Sequence, residues 1–155
     1  MSTSTRLVIQ RSFEAPIDLV WRAWTERAHL LRWLCPKDFE VLFAEVDLRT
    51  GGVWRSGMRD ARGQEYVARG TYREIQEPHR LVFTHEWEKN ELEPSVETMV
   101  TLTLRSISDR ETEMTFEQVG LATTESRDSH LGGWSEAFDH LQAHLERAPS
   151  DASRS

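Results

Sequence analysis

His85 is the residue whose type and setting most directly invite chemistry. It shares one face of an alternating run with Leu81, Phe83 and Trp87, while Thr84 and Glu86 take the other face. An imidazole on an inward apolar face has two readings. It is a core residue with its hydrogen bonds made, or a polar handle inside a pocket, where its pKa makes it a usable acid or base. Gln118 stands in phase with Met114 and Phe116, and Thr98 with Val100, so they offer similar handles. Arg127 falls one turn before Leu131 on a helical stripe, with His130 at its edge; the pair either rims a pocket mouth and meets an anionic group or is solvated. His140 and His144 are one helical turn apart, a spacing that can hold a metal. They are expected on the solvated side, opposite Leu141 and Leu145, and no glutamate follows His140 as a zinc-protease pattern requires. The single cysteine, Cys35, has no histidine signature, and there is neither a phosphate-cradling glycine loop nor a nucleophile elbow. The expectation is no catalytic set, no metal and no cofactor.

Those residues must be placed by strands and one long helix. Leu131, Trp134, Phe138, Leu141 and Leu145 recur at steps of three and four within Thr123 to Arg147, which predicts an amphipathic helix. Gly132 and Gly133 conflict with it, because each glycine in a helix interior costs roughly 1 kcal/mol against alanine. A kink, or a helix beginning near Trp134, are the two ways out. From about Glu40 to Gly120 the chain alternates with period two. Trp54 and Met58 share a face, then Tyr66, Ala68, Gly70 and Tyr72, then the His85 run, then Val96 to Leu104, then Met114 to Gln118. Turns are expected at Asp47 to Gly52, Asp60 to Gly63, Glu77-Pro78 and Asp109-Arg110, with a charged loop from Glu88 to Ser95. An earlier strand carries Leu7, Ile9 and Phe13. Two short helices follow it, the first opened by Pro16, the second capped by Thr25 and closed at Pro36. A single amphipathic helix needs a surface on which to bury its stripe, and only the sheet is large enough. The fold class is therefore α+β: a curved antiparallel sheet of about seven strands gripping a long C-terminal helix.

Composition narrows the partners. The chain has 155 residues and a formal net charge of −7, which repels a nucleic-acid backbone. No apolar run reaches the roughly eighteen residues of a membrane span. The opening MSTSTRLVIQ has no secretion signal, and one cysteine fits a reducing compartment, so a cytoplasmic location is expected. One domain is expected over residues 6–147, between disordered ends at 1–5 and 148–155. Six tryptophans either build the core or line a pocket for a flat or greasy ligand.

Across Arg6 to about Leu145 the residues also follow a recognisable pattern. It runs Phe13-Glu14-Ala15-Pro16, then Val20-Trp21-Arg22-Ala23-Trp24-Thr25, then Arg32-Trp33 and Pro36. It continues with Asp47-Leu48-Arg49, Gly51-Gly52, Gly70-Thr71-Tyr72, Pro78, Arg80-Leu81, Thr84 and Gly133-Trp134. The chain resembles bacterial members of the group named after the C-terminal domain of the heat-shock-protein-90 ATPase activator, in the START-like, birch-pollen-allergen-like superfamily. The resemblance implies a helix-grip fold. It does not choose among lipid carriage, cyclase or aromatase chemistry, hormone reception and chaperone activation, because one fold hosts many functions. Cys35 stands where many relatives have glycine.

Together these readings predict an apolar cavity between helix and sheet for a small hydrophobic or aromatic ligand. Trp54, Met58, Tyr66, Tyr72, His85, Trp87, Phe116, Gln118 and Trp134 are expected to face it, with Trp33 near one end and Arg127 and His130 at the mouth. A cyclase or hydrolase using His85, and a chaperone-directed interaction domain, are the alternatives. Dimerisation through the sheet edge or its outer face is a further expectation.

Overall fold

The structure, a computed structural model, describes residues 5–88 and 96–147. Its elements run β1 (Thr5–Phe13), α1 (Ile17–Thr25), α2 (Arg27–Trp33), β2 (Glu40–Val46), β3 (Val53–Arg59), β4 (Glu65–Gln76), β5 (Arg80–Glu88), β6 (Thr98–Ser108), β7 (Glu111–Leu121) and α3 (Thr124–Arg147). The strands form one antiparallel sheet in the order β1-β7-β6-β5-β4-β3-β2, so β1 and β2 are its edges. Thr5 already belongs to β1, and β6 starts at Thr98 rather than Val96. Of the expected disordered start (1–5), charged loop (Glu88 to Ser95) and disordered tail (148–155), residues 1–4, 89–95 and 148–155 lie outside the described residues.

The alternation seen in sequence becomes an inner face that is buried and an outer face that is charged. On the outer face, Arg55 grips Glu88 with two hydrogen bonds of 2.6 and 3.1 Å, reaching from β3 past β4 to β5. Arg105 and Glu113 pair across β6 and β7 at 2.8 Å. Exposed pairs of this kind each contribute about 0–1 kcal/mol. The stability therefore resides on the other face, where Phe116, Leu102, Val100 and Met114 meet Phe138 and Leu141 of α3. Register shifts at Val41/Phe43 and Tyr72/Glu74 are bulges that add twist and curvature to the sheet around that helix.

Two close approaches shape the sheet. Gly51, with φ of 87°, turns the chain between β2 and β3 and sends its amide to the Tyr72 carbonyl at 2.8 Å. Gly70 leaves room for the Trp54 indole to cross β4, and Trp54 Nε1 donates to the Thr84 carbonyl at 3.1 Å.

The short helices plug one end. Trp24 of α1 is the hub, edge-on to Trp33 at 4.9 Å and stacked with Phe116 at 6.0 Å. Thr25 does not cap α2: its hydroxyl donates back to the Trp21 carbonyl, and Glu26 holds the cap position without a side-chain bond. With only one residue between α1 and α2, Thr25 still belongs to the first helix and bonds within it.

The long helix is continuous through Gly132 and Gly133. Its burial is uneven. Ala137, Phe138, Leu141 and Leu145 are buried, whereas Leu131 is 37% exposed, so the apolar stripe grips the sheet only from Trp134 onward. No described helix is long and apolar enough to cross a membrane.

Candidate functional site

The buried residues of α3 begin at Ala137, and a space of about 730 Å³ lies between its first half and the concave sheet. Strands β3, β4 and β5 bring Trp54, Ser56, Met58, Tyr66, His85 and Trp87 to one side of it. The helix supplies Ser126, Ser129, His130, Gly133 and Trp134, and the segment after α2 supplies Leu34, Cys35, Pro36 and Phe39.

Each aromatic wall is held by a specific bond. Asp60, at the β3–β4 turn, accepts the Arg62 and Gln64 amides on Oδ1 and the Tyr66 hydroxyl on Oδ2 at 3.2 Å. Trp87 Nε1 donates to His130 Nε2 at 3.0 Å, and His130 Nδ1 in turn donates to the Ser126 carbonyl at 2.7 Å. His130 is thus held as the neutral tautomer with its proton on Nδ1. Trp134 Nε1 donates to Gln118 Oε1 at 2.9 Å.

His85 lies inside this ring, with centroid distances of 5.2 Å to Trp87, 5.6 Å to Trp54 and 5.8 Å to Trp134. It is 4% exposed and has no side-chain hydrogen-bond partner among the described residues. Burial, and secondly the nearby His130, push its pKa down to about 3. The imidazole is therefore neutral over the ordinary pH range. The Cys35 thiol is pushed up to about 11 by burial and by Glu40, and it donates weakly to the Phe39 carbonyl at 3.4 Å, so it is no nucleophile.

Seven of the twelve residues singled out in the sequence, Trp54, Met58, Tyr66, His85, Trp87, His130 and Trp134, face this space. The other five do not. Trp33 is fully buried against Trp24, with its indole N–H on the Ala23 carbonyl at 2.9 Å. Phe116 and Gln118 have the inward phase but are covered by Trp134, whose ring sits 4.6 Å from Phe116. Tyr72 lines a separate hollow of about 40 Å³ beside Phe83. Arg127 pairs with Asp128 at 3.0 Å instead of turning to the mouth.

His140 and His144 also differ from expectation, because they are half-buried rather than solvated. The segment after α2 and α2 itself pack on that flank of α3. His140 Nδ1 meets the Cys35 carbonyl at 2.8 Å, and His144 Nε2 meets His29 Nδ1 at 2.8 Å. Among the described residues no group of three or more His, Cys, Asp or Glu is arranged to hold a metal ion.

The residues that sequence reading missed are mostly small. Ser126, Ser129, Gly133 and Ala137 recur at steps of three, four and four, a second stripe beside the apolar one. That spacing was visible, but small residues seldom announce a site. A Cβ at Gly133 would reach Pro36 Cγ at 3.7 Å, so the glycine widens the gap between α3 and the segment after α2.

A helix gripped by a seven-stranded sheet, with this arrangement of tryptophans, can be set beside known proteins. Residues 14–146 match the family described as "Activator of Hsp90 ATPase homolog 1-like protein". The chain belongs to this family. No curated protein matches it. Among solved structures, a protein from Chromobacterium violaceum is 26% identical with a TM-score of 0.81, covering 92% of this chain and 98% of that one. A Rhodobacter sphaeroides protein is 28% identical with a TM-score of 0.76, covering 92% and 93%. The AHSA1 protein of Silicibacter pomeroyi, at 23% identity and a TM-score of 0.81, shares the fold over 92% and 98%. The Activator of Hsp90 ATPase homolog 1-like fold is thus the frame in which this chain's site is built.

Proposed function

We propose that the protein binds a small, mostly apolar organic molecule between the N-terminal half of α3 and the concave face of the sheet. The observation that carries this reading is the space of about 730 Å³ walled by Trp54, Tyr66, Trp87 and Trp134 around a buried, neutral His85. Small-molecule sites are typically a few hundred to about 1,000 Å³, largely apolar, with a few polar groups that fix orientation. Family membership supports it in a general way, since this fold commonly holds hydrophobic ligands.

Acid–base catalysis of cyclase or hydrolase type has less support. A general base works best with a pKa near the operating pH, and a conjugate acid near 3 makes His85 a weak one. A chaperone-directed role rests on the family description alone.

Mass spectrometry of the freshly purified chain, native and then denatured, tests the reading by looking for a released small molecule. Titration with naphthylmethanol should change tryptophan emission and raise Tm with ligand excess. A chain that carries no molecule and responds to no aromatic probe in either readout would refute it.

A further inference from the structure

The charge on the walls is one-sided. Among the described residues facing the space there is no Lys or Arg, and the ionised side chains are Glu125 and Glu136, both exposed on α3. They are three helical turns apart, about 16 Å along the axis, so they line the mouth with one sign. Glu136 also takes the Lys37 amide on Oε1 at 3.1 Å, which holds it at the rim.

Inside, the polar groups are neutral: the Ser56 and Ser129 hydroxyls and the imidazoles of His85 and His130. The His85 imidazole, buried against the space and neutral, carries one N–H and one lone pair, so one ring nitrogen is an acceptor. His130 spends both nitrogens on Trp87 and the Ser126 carbonyl. The indole and phenol rings around them present electron-rich faces that attract cations. Arg127, the one cation that sequence placed near the mouth, is paired with Asp128.

We propose, resting on the binding reading above, that this site selects a flat aromatic ligand carrying a cationic nitrogen, an aromatic ammonium or protonated heteroaromatic base, and excludes carboxylates. The ring lies among Trp54, Trp87 and Trp134, and the nitrogen points toward the Glu125–Glu136 rim, with its N–H available to the His85 lone pair. A carboxylate entering the same space loses its hydration and finds no cation to replace it. An ammonium keeps part of its hydration at the mouth and gains a rim of negative sign and the ring faces.

The test uses the intact chain and three probes with the same ring: naphthylmethylammonium, naphthylmethanol and naphthoate, titrated at low salt by calorimetry and tryptophan emission. The ammonium should bind most tightly, the alcohol several-fold more weakly, and the carboxylate at least about tenfold more weakly than the ammonium. Added salt should narrow that gap, since the rim is solvated. In a folded Glu125→Gln/Glu136→Gln double variant, the ammonium should lose more affinity than the alcohol. Naphthoate binding as tightly as the ammonium overturns the charge selection and leaves the binding reading standing. An ammonium no better than the alcohol, or unaffected by the double variant, also overturns it. Should none of the three bind, the binding reading fails and this inference falls with it.

Discussion

Trp134 and Gln118 are joined by a 2.9 Å hydrogen bond from the indole N–H to the carboxamide oxygen. The same carboxamide donates from Nε2 to Thr98 Oγ1 at 2.8 Å, and the Thr98 hydroxyl donates to the His85 carbonyl at 2.8 Å. One relay therefore ties the middle of α3 to β7, β6 and β5, and ends at the strand residue that carries the imidazole. Gln118 and Thr98 are both buried, so every link is made in a low-dielectric interior, where an unmade bond is costly.

Replacing Gln118 by Leu should destabilise the protein by about 2–3 kcal/mol. It keeps the volume but strands the Trp134 N–H. A urea denaturation curve checks it: the midpoint should fall with the slope unchanged. A midpoint equal to that of the native chain would show that the relay contributes nothing.

His85→Leu should behave in the opposite way at neutral pH. His85 has no side-chain partner to strand, so stability should stay within about 1 kcal/mol of the native value. Affinity for a probe with an N–H donor should nevertheless drop. Calorimetric binding alongside thermal melting separates the two effects, and a large loss of Tm with unchanged affinity would contradict the expectation.

Acid should unfold the native chain earlier than it unfolds His85→Leu. The folded pKa of about 3 lies below the ordinary 6.5, so between those values the unfolded chain binds more protons. Stability is complete above pH 6.5 and is lost as the pH falls toward 3. Burial lowers His29 and His144 as well, which adds loss in the same direction. Denaturation midpoints across this window should fall steeply for the native chain and less steeply for the variant.

Gly132→Ala should stabilise α3 by up to about 1 kcal/mol, or roughly 2–4 °C in Tm, since nothing lies within 4 Å of the added Cβ. Gly133→Ala should gain similarly in stability but weaken aromatic-probe binding, because its Cβ meets Pro36 at the cavity wall. Melting and titration of the two variants side by side would show the difference.

Gly70→Ala is expected to be severe. Its Cβ would collide with the Thr84 carbonyl oxygen and with the Trp54 indole nitrogen, which are hydrogen-bonded to each other across β4. Backbone cannot yield cheaply there, so a loss of several kcal/mol, seen as poor soluble yield or a greatly lowered Tm, is the expected outcome.

Period-two alternation, over Leu7 to Phe13 and then over 40–120, was enough to read about seven antiparallel strands and the inward phase of Trp54, His85, Phe116 and Gln118. Steps of three and four were enough to read α3 and its apolar stripe from Leu131 to Leu145, though not that Leu131 would stand 37% exposed. Both signals are local, because side-chain direction follows from backbone geometry within a few residues. Phase says which face a residue takes; it does not say how far the opposing element stands from that face. Only the tertiary structure placed Trp134 directly over Phe116 and Gln118 while lifting Ser126, Ser129 and Gly133 away from Met58 and Trp87. Likewise, the polar phase of His140 and His144 could not reveal that α2 and the segment after it would cover that flank, since the contacts with His29 and Cys35 join residues more than a hundred positions apart. Packing between distant segments made one inward face half solid and half hollow, and the site is the hollow half.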